Sequence, residues 1–177
     1  MEYLLKSGKT VIIRPPTAED AQAIVHIIAT ADTETPFLAR NPGEFQTSPE
    51  REKQIIENVL ADEDVQWYVA EYEGCVVGQC SVGLVRRNAR YRHRAEVAFV
   101  LLQEYSGLGI GGKMMEECLN WCKSKGVMQV ELDVVKNNDR ALQMYLGFGF
   151  EIIGTRENAL RYPDGTFAGE YLMIKKL

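Results

Sequence analysis

Between Arg94 and Val135 the sequence reads as one parallel crossover. An apolar strand, Arg94–Leu102, runs into Gln103-Glu104-Tyr105-Ser106-Gly107-Leu108-Gly109-Ile110-Gly111-Gly112; a helix follows from about Gly109 to Ser124, and then a second strong strand, Val127–Val135. Strands joined through a helix lie parallel, whereas strands joined by tight turns lie antiparallel. The rest of the chain is of the second kind. Gln66–Tyr72 and Cys75–Val85 flank Glu73-Gly74 as a hairpin, and Gly149–Gly154 and Ala168–Ile174 flank a turn at Pro163-Asp164-Gly165. Lys9–Arg14 is a further strand. Thr17–Asp20 reads as a capping box opening a helix to about Thr30, and Ser48-Pro49-Glu50 opens another to about Leu60, with a loop over residues 31–47 between them. Asn138 caps a short helix reaching about Leu146. The expected fold is a single α/β domain spanning residues 1–177, a mixed, mostly antiparallel sheet of six to seven strands flanked by about four helices.

The 177 residues suffice for a domain that buries roughly two-thirds of its unfolded surface, and 46% apolar with 25% charged residues argues against disorder. A net charge of −5 offers nothing to a phosphate backbone and leans toward a cationic partner such as an amine. Arg86, Arg87, Arg90, Arg92 and Arg94 cluster between two strands, where a solvated loop is the plainest account and nucleic acid is disfavoured. No run approaches ~18 apolar residues, and Met1–Lys6 lacks a secretory apolar segment, so a cytoplasmic protein without membrane attachment is expected. Cys75, Cys80, Cys118 and Cys122 read as reduced, buried small hydrophobes, and with only His26 and His93 beside them no metal site is expected. Trp67 and Trp121 read as packing residues.

A glycine run where a strand turns into a helix suits a phosphate, which can lie on exposed N–H groups at the helix start. Gly107, Gly109 and Gly112 satisfy Gly-x-Gly-x-x-Gly, with Asp133 twenty-one residues on, as a dinucleotide fingerprint requires. The surroundings oppose that reading: after Asp133 there is one short helix and two strands rather than further crossovers.

A second reading rests on two signatures in order. Ser106-Gly107-Leu108-Gly109-Ile110-Gly111 resembles the Arg/Gln-x-x-Gly-x-Gly/Ala motif of the GNAT family of N-acetyltransferases. Asn138 through Phe150, with Ala141, Tyr145 and the closing Gly149-Phe150, is similar to the family's second signature. The resemblance covers nearly the whole chain, thinly in the first 60 residues. It implies an enzyme that binds acetyl-CoA and moves its acetyl group to a primary amine by direct attack, on a small molecule or a peptide, in a chain that often pairs with a second copy. A non-catalytic acyl-CoA-binding module of the same fold is the alternative.

By this resemblance the backbone of Ser106, Gly107, Leu108, Gly109, Ile110, Gly111 and Gly112 cradles the pyrophosphate. Val100, Leu101 and Leu102 pair with the pantetheine arm, which requires the two parallel strands to splay and leads us to expect a bulge there. Asn138 lies beside the pantetheine, and Tyr145 is the general acid near the sulfur. Ser106 departs from the family's Arg or Gln, so its side chain offers a hydroxyl in place of a charge. Glu96 alternates with Val97 in an apolar strand, where burying an unpaired carboxylate is costly; it matches a position at which the family sometimes carries a catalytic glutamate, and is the candidate base. An ion pair with a nearby arginine is the competing account. Glu131 and Asp133 share one strand face and suit a cationic acceptor. The acceptor pocket is implied to lie between the loop over residues 31–47, with Glu34 and Phe37, and the segment joining the last two strands.

Overall fold

The computed structural model describes residues 1–177. Its eight strands form one sheet in the order β1-β2-β3-β4-β5-β6-β8-β7, one strand beyond the expected range. The addition is β1 (Glu2–Leu4), a three-residue edge strand antiparallel to β2 (Thr10–Arg14). Its Tyr3 hydroxyl donates to the buried carboxylate of Glu117 on the far side of the chain, a contact with no local signature.

The capping box forms as expected: the Thr17 N–H donates to the Asp20 carboxylate at 2.6 Å. Asp20 also receives Arg14 through both oxygens, at 2.7 and 2.8 Å, so the helix start is bolted to β2. After one 3-10 turn, α1 runs Ala21–Glu34, further into the expected loop than Thr30. The Ser48 side chain accepts from the Arg51 N–H and starts α2 (Pro49–Leu60). β3 (Val65–Tyr72) and β4 (Cys75–Leu84) meet through Glu73 and Gly74, whose φ of 51° and 79° supply the left-handed pair a tight hairpin needs.

Beyond β4 come β5 (Arg94–Leu101), α3 (Ile110–Ser124), β6 (Gln129–Val135), α4 (Asp139–Gly147), β7 (Glu151–Arg161) and β8 (Phe167–Lys176). The buried side of α3, including Met114, Cys118 and Cys122, packs with Val97 and Val130 on one sheet face. Ile24 and Ile28 of α1 and Ile56 of α2 cover Val69 on the other, with Trp67 at the margin. Trp121 is buried, as are three of the cysteines; Cys75 is exposed at the hairpin, contrary to expectation, because its strand has only begun there.

The parallel pairing of β5 with β6 is short. It joins Arg94, Ala95 and Glu96 to Gln129, Val130 and Glu131 and then stops. From Val97 onward β5 pairs only with β4, and from Leu132 onward β6 pairs only with β8. The splay is therefore present, but the expected bulge at Val100–Leu102 is not, since β5 runs in unbroken register with β4. The irregularity falls in β4, where Val77 is the extra residue against β3, and its carbonyl accepts from the Leu102 N–H at 3.1 Å. One bulge thus fixes the end of the neighbouring strand.

Candidate active site

At the C-terminal end of β5 the chain makes a 3-10 turn at Gln103–Tyr105 and enters the glycine run. Gly107 and Gly109 take φ of 82° and 92°, in the left-handed region that glycine enters at no steric cost. Leu108 packs inward between them and Ile110 is fully buried, so the loop is pinned by its apolar members. None of the backbone N–H groups from Gly107 to Gly112 donates to an acceptor in the chain; the first helical bond of α3 is Lys113 N–H to Gly109 C=O. Unpaired donors at the positive end of a fifteen-residue helix are suited to receive an anion. Gly111 and Gly112 face α4: a Cβ on Gly111 would lie 3.3 Å from Met144 Sδ, and one on Gly112 would lie 3.8 Å from the Phe148 ring.

Tyr145, on α4, is 8% exposed and stands between Phe99 of β5 and Phe150, ring centroids 6.3 and 5.9 Å away. Phe99 belongs to the part of β5 that β6 has left, which places Tyr145 beside the splay. No fully buried side-chain oxygen or nitrogen lacks a partner. The Tyr145 hydroxyl, which makes no hydrogen bond within the chain, therefore opens onto accessible space. Burial pushes the phenol up to about 12, so it keeps its proton at neutral pH. Asn138 is the cap of α4, its Oδ1 accepting from the Ala141 N–H at 3.3 Å.

The carboxylates behave differently from expectation. Glu96 is exposed rather than buried, on the sheet face opposite Val97. Arg94, two residues before it, is taken by Glu131, with Nη2 2.7 Å from Oε2, so Glu96 is free of that pairing. Glu131 and Asp133 do share a face, but neither stands as a free anion. The Arg94 guanidinium holds the Glu131 carboxyl below its usual value, and Asp133 lies 2.9 Å from Arg156 Nη1. Most of the arginine cluster is engaged within the chain: Arg87 pairs with Asp62, Arg92 with Asp64 at 2.8 Å, and Arg86 lies over the Tyr91 ring, while Arg90 makes no ion pair.

A cleft of about 600 Å³ lies between the C-terminal end of α1, the loop after it, and the β7–β8 turn. Glu34 lines it, and its Oε2 accepts from the Gln103 N–H at 2.8 Å, joining the cleft to the turn that launches the glycine run. Phe37 is half-buried nearby but is not part of the lining. Asp32, 2% exposed, takes Arg40 through both oxygens, at 2.9 and 3.2 Å. The Tyr162 hydroxyl donates to the Pro36 carbonyl at 3.0 Å across the top. Arg40, the Gln103 N–H and the Tyr162 bridge carry no sequence signal, since each acts through a partner that only the tertiary fold supplies.

The chain belongs to the acetyltransferase (GNAT) family, whose family model matches residues 27–150. It is 31% identical over 122 residues to an L-amino acid N-acetyltransferase of Escherichia coli, an alignment covering 66% of this chain and 72% of that one. A GNAT-family acetyltransferase structure from Streptococcus pneumoniae superposes with a TM-score of 0.87 at 23% identity, covering 94% of this chain and 99% of that one. A phosphinothricin acetyltransferase from Sinorhizobium meliloti, solved in complex with AcCoA, superposes with a TM-score of 0.81 at 20% identity, covering 94% and 88%.

Proposed function

We propose that this protein transfers the acetyl group of acetyl-CoA to a primary amine by direct attack. The observation that carries the proposal is the continuity of two open donor surfaces. The unpaired N–H row of Gly107–Gly112 suits the pyrophosphate, and the edge of β5 freed beyond Glu96 suits the amides of the pantetheine arm. Val100, Leu101 and Leu102 would present that edge, Ser106 would add a hydroxyl, and Asn138, its carbonyl committed to the helix cap, would offer its NH₂. A family relative solved with acetyl-CoA supports the same assignment.

When bound, acetyl-CoA supplies a thioester carbonyl for the amine nitrogen and a thiolate that departs. Tyr145 gives its proton, or a hydrogen bond, to the departing sulfur; its raised pKa keeps that proton in place until then. Glu96 removes the proton that the amine must lose, directly or through water, and its exposure lets it exchange that proton with solvent. The C–N bond forms and the C–S bond breaks; an acceptor that arrives as an ammonium loses one proton through Glu96 to solvent before attack and a second on becoming the amide, which balances the proton that reaches sulfur.

A thiol-release assay with acetyl-CoA and a panel of amines tests the reading. Free coenzyme A should appear only with an acceptor present, and Glu96→Gln should slow it most at low pH, where the amine is protonated. A protein that holds acetyl-CoA yet releases no thiol with any amine is a binding module, and the transfer reading then fails.

A further inference from the structure

The cleft that Glu34 joins to the Gln103 turn leaves one charge of each sign without an ionic partner. Among the charged side chains that line it, Asp32 and Arg40 neutralise each other through the two-point contact. Glu170 lies 2.7 Å from Arg156, a guanidinium it shares with Asp133, which does not line the cleft. Two groups remain. Glu34 spends one oxygen on a neutral backbone N–H, which fixes the carboxylate without cancelling its charge. Arg161, an exposed residue, makes no ion pair; its guanidinium lies 6.0 Å from the Phe167 ring centroid and leaves its five N–H donors unused.

These two stand on opposite walls. Glu34 ends α1, and Arg161 ends β7. The Tyr162 hydroxyl, donating to Pro36, ties the walls together immediately beside both residues. A polyamine or other plain cation would find an anion at Glu34 but would also meet an uncompensated guanidinium. A simple acid would meet the reverse. A small zwitterion satisfies both at once, and discrimination of this kind comes from leaving a site's charged group unpaired when the wrong ligand enters.

We infer that the acceptor is a free amino acid or a similar small zwitterion, its ammonium drawn to Glu34 and its carboxylate held by Arg161 in a two-point contact. The inference rests on the acetyl-transfer reading and names the substrate class of that site. Arginine suits the task because its planar fork matches a carboxylate. The Gln103 N–H orients the carboxylate of Glu34 and ties the ammonium end of the acceptor to the turn preceding the glycine run.

The experiment compares L-methionine, L-phenylalanine, L-glutamate and L-lysine with their α-amides, with their decarboxylated amines and with spermidine. Each is measured by thiol release and, separately, by the thermal shift it gives the protein. At least one free amino acid should exceed its own amide and amine by about 30-fold in kcat/KM, the discrimination expected of one charged hydrogen-bonded contact. Arg161→Gln should erase that preference. Glu34→Gln, whose amide oxygen can still accept from Gln103, should raise KM for the amino acid by about tenfold with a smaller change in kcat. Amides, amines or spermidine used as well as the free amino acids would overturn the inference while leaving acetyl transfer intact, and so would a preference that survives Arg161→Gln. If no compound releases thiol, the transfer reading fails, and the thermal shift decides the zwitterion site. Stabilisation by a free amino acid but not its amide, abolished in Arg161→Gln, supports it; equal or absent shifts refute it.

Discussion

Tyr162 and Pro36 are 126 residues apart in sequence, yet a 3.0 Å hydrogen bond from the tyrosine hydroxyl to the proline carbonyl closes the upper side of the cleft. An exposed bond of this kind contributes about 1 kcal/mol or less to stability, so its effect should be local. Tyr162→Phe should leave the melting temperature within about 2 °C of the wild type and raise the acceptor KM several-fold. The apparent affinity for acetyl-CoA should be unchanged. An acceptor KM equal to the wild type would show that the bridge does not shape the cleft.

Tyr145→Phe should lower kcat by roughly a hundredfold, in the range for loss of a positioned proton donor, with little effect on acetyl-CoA binding. The phenol pKa of about 12 adds a stability signature. The folded state holds this proton more tightly than the unfolded chain, whose tyrosines titrate near 10. The resulting stabilisation is complete below pH ~10 and is lost as pH rises toward 12. Urea titrations across that interval should show a steeper alkaline decline for the wild type than for Tyr145→Phe, and parallel curves would contradict the assignment.

Gly78 sits in β4 against the end of β5, where an added Cβ would lie 2.8 Å from the Val100 carbonyl oxygen and 2.8 Å from Leu101 Cδ1. The backbone oxygen cannot swing aside as a side chain can. Gly78→Ala should therefore push β5 outward at Val100, cost about 1–3 kcal/mol, and weaken acetyl-CoA binding through the pantetheine edge. Chemical denaturation and equilibrium dialysis measure the two effects. Undiminished cofactor affinity in a destabilised variant would separate the edge from the site.

Ser106→Arg restores the side chain typical of the family at this position. It should tighten acetyl-CoA binding by about three- to tenfold at low salt, and the gain should shrink as ionic strength rises, because an exposed charge contact is screened. No gain at any salt would mean that the backbone donors of Gly107–Gly112 already saturate the phosphate contacts.

The elements of this fold were readable wherever a local pattern decides them. Thr17–Asp20, Ser48-Pro49, Glu73-Gly74 and Asn138 each announce a turn or cap through residues within four positions of one another, and each forms where expected. The glycine run was legible for the same reason, because a left-handed φ at Gly107 and Gly109 is a property of the backbone at those residues. The exposure of Glu96 was not legible, because strand alternation gives its face and not what covers that face. Glu131 and Asp133 were placed on the right face, but their partners come from other strands, Arg94 from the neighbouring β5 and Arg156 from β7 across β8, in an order only the tertiary structure fixes. The cleft was placed only through the family resemblance, between residues 31–47 and the segment joining the last two strands, because no local pattern marks a site assembled from α1 and the β7–β8 turn more than 120 residues apart.

The short pairing of β5 with β6 makes the sheet two plates rather than one. Five strands, β1 to β5, lie on one side and three, β6, β8 and β7, on the other, and the seam between them is three residue pairs long. The Arg94–Glu131 ion pair straddles that seam at its closed end. Tyr145 and the glycine run lie toward the open end, so a small rotation of one plate about the seam is magnified into a change of gape where the chemistry would occur. Three residue pairs, one ion pair and the α3 core that packs on both Val97 and Val130 thus set how finely the mouth is held.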